Sequence, residues 1–105
     1  MGAGSEMQCL GCQREFGESD RIATMSGSIM GDEVTDTYFL CPDCGVYTVA
    51  QWWDDFTGEE TLKVSGPVSR EDGDTQVQVI RGCDQPWNKK CRCDAHRDHF
   101  NDQLD

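Results

Sequence analysis

Seven cysteines and two histidines sit in three clusters along a chain of 105 residues. The first is Cys9-Leu10-Gly11-Cys12 and the second is Cys41-Pro42-Asp43-Cys44-Gly45. The third is Cys83, then Cys91-Arg92-Cys93, followed by His96 and His99. Cys-x-x-Cys is a chelating spacing, because one tight turn brings both sulfurs onto the same ion, and two such pairs complete a tetrahedral four-sulfur site. Cys9, Cys12, Cys41 and Cys44 are therefore expected to form one site, although 28 residues separate the pairs. Cys83, Cys91, Cys93 and His96 supply three sulfurs and an imidazole for a second. If a helix starts near Cys91, His96 shares a face with Cys93, and His99 points mostly elsewhere. His99 is then the substitute ligand.

Metal also answers a deficit in the rest of the composition. Only 36% of the residues are hydrophobic and the mean hydropathy is -0.66. So lean and short a chain buries too little apolar surface to be stable without reinforcement. A structural zinc contributes about 10–16 kcal/mol of apparent binding energy at neutral pH, comparable to the net stability of a whole domain. Two zinc ions are expected. A disulfide framework is the competing use of the thiols. The odd count, the chelating spacing and the lack of a signal peptide before Cys9 argue against it. A reduced, cytoplasmic setting is expected. No stretch is long and apolar enough to span a bilayer as a helix.

The net charge of -11 is unevenly spread. Residues 1–50 carry eight acidic and two basic side chains, residues 51–80 seven and two, and residues 81–105 five and five. A four-thiolate zinc site adds about -2 to this. Such a surface repels phosphate backbones, so nucleic-acid binding is disfavoured, and it suits a basic protein partner or plain solubility.

Along the chain, Arg21–Ser26 reads as a strand, Gly27–Asp36 as a loop or irregular hairpin, and Thr37–Leu40 as a short strand entering the second cysteine pair. Val46–Trp53 is the strongest strand, rich in β-branched and aromatic residues. A turn at 54–58 lets Thr61–Val64 pair back, and Gly66-Pro67 breaks the sheet. Ser69 offers an N-cap for a helix over Ser69–Arg81, with Gly73, Val77 and Ile80 on one face. The rival is a strand over Gln76–Ile80, because Gly73-Asp74 weakens the helix. Asp84-Gln85-Pro86 is a turn, and Cys91–Leu104 reads as a terminal helix. The expected fold class is α+β: a small metal-stabilised domain with a three- to four-stranded antiparallel sheet and one or two C-terminal helices.

With Cys9, Cys12, Cys41, Pro42, Cys44 and Gly45 in place, residues 8–50 resemble the zinc-ribbon and rubredoxin-like group. In that group two knuckles of this kind face each other across strands. Pro42 fixes φ inside its turn, and Gly45 stands where the chain must turn back. The resemblance departs at Gln13, where the glycine typical after a rubredoxin first knuckle is missing, and this favours zinc over iron. The chain is expected to divide into a disordered lead or expression scar at 1–7, a zinc-ribbon-like β domain at 8–66, and a helical Cys/His metal-binding segment at 67–105 packed on it. An interleaved pairing of RING type, with the first knuckle joining Cys83 and its neighbours, fits the same spacings.

Neither site is expected to be catalytic. Catalytic zinc keeps an open position and usually a carboxylate base, whereas four protein ligands leave no vacancy. No His-x-Glu partner accompanies Cys91-Arg92-Cys93, and no phosphate loop or Ser-His-Asp grouping appears. The expected role is a zinc-binding interaction module or accessory subunit, with Trp52, Trp53 and Phe56 inside an acidic rim as its contact. The alternatives are a rubredoxin-like iron electron carrier and a nucleic-acid binder using residues 87–97. Trp87 is expected to lie over the second site as a hydrophobic lid. Lys89, Lys90, Arg92 and Arg97 are expected to offset its thiolate charge.

Overall fold

The computed structural model describes residues 7–55 and 57–104; Phe56 and all but the last residue of the 1–7 lead lie outside the described residues. Four strands and two helices follow in chain order: β1 (Arg21–Ile29), β2 (Asp32–Leu40), β3 (Tyr47–Asp54), β4 (Glu60–Val68), α1 (Arg70–Arg81) and α2 (Asp94–His99). The strands form one antiparallel sheet in the order β1-β2-β3-β4, each pairing with its sequence neighbour. The expected α+β class holds.

The segment read as a loop, Gly27–Asp36, is instead the tip of a regular hairpin. β1 and β2 pair from Arg21↔Phe39 to Ile29↔Asp32, and the chain reverses at Met30 and Gly31, both at positive φ (51° and 87°). A primed two-residue turn of this kind matches the twist of the strands it joins. Gly27 looked like loop punctuation, but it is a packing residue. A Cβ there would meet Phe100 and Leu104 side-chain carbons at 2.7 Å, so the glycine lets the C-terminal segment lie directly on β1.

β4 runs through Gly66-Pro67, where a break was expected. Proline is tolerated because β4 is an edge strand, and the register shifts there, between the Tyr47↔Val68 and Val49↔Ser65 pairs.

Helix α1 forms as expected. Ser69 Oγ accepts the Asp72 N–H at 3.1 Å, and Gly73, Val77 and Ile80 are its buried residues. The two residues that counted against it are both used by Tyr47. The Tyr47 ring lies against Gly73, and its hydroxyl donates to Asp74 Oδ1 at 2.6 Å. Burial and then the Asp74 carboxylate push the Tyr47 phenol up to about 12, so it stays a donor. Two clusters of buried residues result. The larger one joins Ala23, Met25, Val34, Tyr38 and Tyr47 of the sheet to Val77, Ile80, Cys83 and Phe100. The smaller one joins Cys9, Phe16 and Cys41, with Phe16 stacked on Phe39 at 5.1 Å.

The terminal helix is shorter than Cys91–Leu104. Cys91 and Cys93 precede it, and Cys93 is extended (φ -70°, ψ 170°) as its N-cap. Asn101 and Asp102 adopt positive φ and end it. No helix among the described residues is long and apolar enough to cross a membrane.

Candidate metal centres

The two cysteine knuckles are backbone copies of each other. In the first, Gln13 N–H donates to Cys9 O at 2.8 Å and Cys9 N–H to Arg14 O at 2.9 Å. In the second, Gly45 N–H donates to Cys41 O at 2.9 Å and Cys41 N–H to Val46 O at 3.0 Å. In both, the residue after the second cysteine turns back at positive φ, 69° at Gln13 and 74° at Gly45. The missing glycine therefore did not change the turn, and Gln13 bears the left-handed conformation itself. That conformation costs a side chain about 1–2 kcal/mol. Gln13→Gly is expected to stabilise the metal-loaded protein by about 1 kcal/mol, raising its midpoint by about 4–8 °C in calorimetry.

The knuckles meet with Cys9 Sγ 3.4 Å from Cys44 Sγ and Cys12 Sγ 3.6 Å from Cys41 Sγ. A disulfide would need about 2.05 Å, and all seven cysteines are free thiols. Four sulfurs at 2.3 Å from one zinc ion stand about 3.8 Å apart along each edge of the tetrahedron. The donor set and its spacing therefore fit a tetrahedral ion. Cys9 and Cys41 are buried while Cys12 and Cys44 are exposed, so the centre is anchored from within and open to solvent on one side. Gly11 N–H donates to Cys9 Sγ at 3.3 Å, and Leu10 N–H donates to Thr48 Oγ1 at 3.1 Å, tying the first knuckle to β3. Arg14 bridges the knuckles, with Nη1 3.0 Å from Asp20 Oδ2 and Nε 3.2 Å from Asp43 Oδ2, inside the second pair. Nothing in the cysteine spacing announces Arg14; its place two residues after Cys12 is the one sequence signal of this role.

The second centre gathers Cys83 from just beyond α1, Cys91 from the following loop, Cys93 at the N-cap of α2, and His96 within it. Cys83 Sγ lies 3.8 Å from Cys91 Sγ and 3.3 Å from His96 Nδ1, and Cys93 Sγ lies 3.5 Å from the same Nδ1. In each group of four, the ligand atoms all lie within 4.8 Å of one another. The pairing is sequential, not interleaved. His96 is fully buried, and its Nε2 lies 3.0 Å from the carbonyl oxygen of Ser26. A carbonyl only accepts, so the proton is on Nε2 and the Nδ1 lone pair faces the sulfurs. This is the outer-shell arrangement that fixes a metal-binding imidazole. Ser26 also donates its N–H to Pro86 O at 2.8 Å, so one residue of β1 holds both the loop and the ring. Gln85 N–H donates to Cys83 Sγ at 3.3 Å.

His99 takes no part. Its Nε2 lies 2.8 Å from Asp36 Oδ2, and its Nδ1 lies 3.1 Å from Gln76 Oε1. Both ring nitrogens are used, so no lone pair is left for an ion. Asp36 Oδ1 is buried and has no hydrogen-bond partner among the described residues. Trp87 is not a lid, because it is 70% exposed. The Pro86 carbonyl docks the loop instead. Among the basic residues, Lys89 pairs with Glu33 at 3.2 Å, and Arg92 donates to the carbonyls of Lys89 and Cys91, both at 3.0 Å.

Electrostatics within the clusters fit a dication. Burial pushes the Cys9 thiol up, but the amides of Cys12 and Gly11 and the neighbouring sulfurs outweigh it and bring it to about 7. Cys44, sharing its proton with Cys9 and then partly desolvated, is pushed up to about 12. In the second cluster burial raises Cys93, but hydrogen bonding at His96, whose amide donates to the sulfur, outweighs it and brings it to about 6. Burial drives Cys83 up to about 12. One thiol of each cluster ionises readily while a neighbour resists, as expected where like charges are crowded. A bound dication removes that conflict.

Compared with known protein families, curated proteins and solved structures, the chain matches none. The two clusters fit a zinc-ribbon-like motif on geometry alone.

Proposed function

We propose that this is a small two-zinc protein whose metal centres are structural, and that it serves as an interaction module or accessory subunit of a larger assembly. One observation carries the reading: each cluster offers four protein donors at tetrahedral spacing. Four protein ligands complete the coordination of zinc and leave no site for a reacting water. The ions would then hold a scaffold, and the remaining surface would do the work. Half-buried Trp52 and Trp53 beside Asp54, Asp55, Glu59 and Glu60 support a contact surface, because aromatic anchors within a polar rim are characteristic of binding patches.

Native mass spectrometry of reduced protein is expected to give two zinc ions per chain in a colourless solution. A red preparation with iron in the four-sulfur centre would instead support electron transfer. Pull-down under reducing, zinc-replete conditions is expected to retain a protein partner that Trp52→Ala or Trp53→Ala releases. Complete absence of a partner would defeat the interaction reading. Lys89 and Arg92 are tied to local acceptors, which supports charge offset over nucleic-acid contact through residues 87–97. A salt-sensitive gel shift lost on substitution of Lys89 and Lys90 would reverse that.

A further inference from the structure

The two edges of the sheet are treated differently. At β1, the Ser26 N–H and C=O are taken by Pro86 and His96, so that edge is occupied at its middle. At the other edge, every residue of β4 from Glu60 to Pro67 is exposed. Among the described residues, β4 has no strand neighbour but β3. Unpaired edges of this length are usually blunted, because they offer a row of free donors and acceptors to another chain. Here the blunting is confined to one end, at Gly66-Pro67. Glu60–Ser65 remains a continuous open window.

The two faces beside this window differ in chemistry. Cross-strand partners share a face. The pairs Trp52↔Leu62 and Ala50↔Val64 therefore place Trp52 between two exposed aliphatic residues, Leu62 (56% exposed) and Val64 (41%). On the opposite face, beside Thr61 and Lys63, lies a shallow cleft of about 230 Å³ with Trp53 in its wall and Asp32, Asp55 and Glu59 around it. Its lining holds three carboxylates against one ammonium. Asp55 accepts from the Thr57 hydroxyl and from the amides of Thr57 and Glu59. These bonds, the hydroxyl's first, hold its carboxyl below the ordinary range.

We propose that the β4 edge, residues Glu60–Ser65, captures an extended basic segment of a partner protein as a fifth strand. Its apolar side chains rest on Leu62, Val64 and Trp52, and its Lys or Arg side chains enter the Trp53–Asp32–Asp55–Glu59 cleft. In strand addition, main-chain bonds supply affinity and alternate side chains supply specificity. Charge selects the occupant: each copy of this chain carries -11, so pairing two copies sets like charges against each other, whereas a basic strand is attracted. An aromatic ring beside carboxylates also suits a cationic side chain. This inference rests on the interaction-module reading and names the kind of partner and the surface.

The test uses the zinc-loaded full chain and a synthetic peptide of about eight residues, near the usual strand length, alternating Lys or Arg with Val or Ile. Titration calorimetry is expected to show salt-sensitive binding, with amide exchange slowed across residues 60–65. The same peptide with proline at alternate positions keeps its charge but loses its donors, and is expected to bind at least about tenfold more weakly. Leu62→Lys, at an exposed position, and the pair Asp32→Asn with Glu59→Gln are each expected to weaken binding severalfold while zinc content stays at two. Binding that survives both the proline peptide and Leu62→Lys would overturn the proposal. So would sedimentation showing that the chain pairs with itself through β4. If no peptide binds while a pulled-down partner is still held by Leu62→Lys protein, the edge proposal falls and the module reading stands. If no partner of any kind is found, both fall.

Discussion

Withdrawing metal with a strong chelator under reducing conditions is expected to unfold this chain, with loss of both the sheet signal in circular dichroism and protection from amide exchange. The expected scale is about 10–16 kcal/mol for each structural zinc ion at neutral pH, against a net stability of about 5–15 kcal/mol for a typical domain. No reserve elsewhere covers such a loss. The smaller hydrophobic cluster has two cysteines among its three buried members, and the larger one includes Cys83. Cys41→Ser is expected to cost the first centre and unfold the chain at physiological temperature. Restoring zinc to the chelated wild type should restore exchange protection. A chelated protein that keeps native exchange protection would show that the ions are ornamental. Acid should act in the same direction, because protons compete for thiolate and imidazole. Asp74, held low first by the Tyr47 hydroxyl and then by Arg70, and Asp20, held low first by the Gly17 amide, add a later loss. Their stabilisation is complete above the unfolded carboxylate value of about 4 and disappears as pH falls through their lower folded values.

The second large effect is expected from Gly73→Ala. In an exposed helix this change would gain about 1 kcal/mol. Here the new methyl group would fall within the ring of Tyr47, a side chain only 2% exposed. Neither neighbour has room to give way. The helix is capped at Ser69, and the tyrosine is held at its far end by Asp74. Overpacking of this kind costs about 1–3 kcal/mol or more, so the substitution is expected to lower the thermal midpoint by about 10 °C or more in a small domain. Shrinking the ring position with Tyr47→Leu should recover part of the loss in the Gly73→Ala background and none of it in the wild type. If Gly73→Ala alone raised the midpoint, the close approach of helix to sheet would be wrong.

Local chemistry made the metal clusters legible. Two residues between paired cysteines force their sulfurs together whatever the rest of the chain does, and the three-residue step from Cys93 to His96 does the same on one helical turn. Distant contacts were not legible. Gly27 reads as a loop residue until Phe100 is seen lying on it. His99 reads as a spare ligand until Asp36, 63 residues away, is seen to hold it. The terminal helix shrank because Cys91 and Cys93 must leave helical geometry for their sulfurs to converge, a demand of the ligand cluster that helix propensity does not contain. Pro67 reads as a break because its N–H is missing, which matters little in an edge strand with no neighbour on one side among the described residues.

The spacing of the two centres along the chain bears on the order in which they fill. The second closes over thirteen residues, from Cys83 to His96; the first must bring Cys9 to Cys44 across thirty-five. The shorter ring has the smaller closure entropy, by about 1 kcal/mol, and it needs no long hairpin to be assembled beforehand. In a refolding experiment with limiting zinc, the C-terminal loop is expected to be the early acceptor. Later capture by the paired knuckles would then be timed by docking of the β1–β2 hairpin, making uptake of the second equivalent a clock for sheet formation.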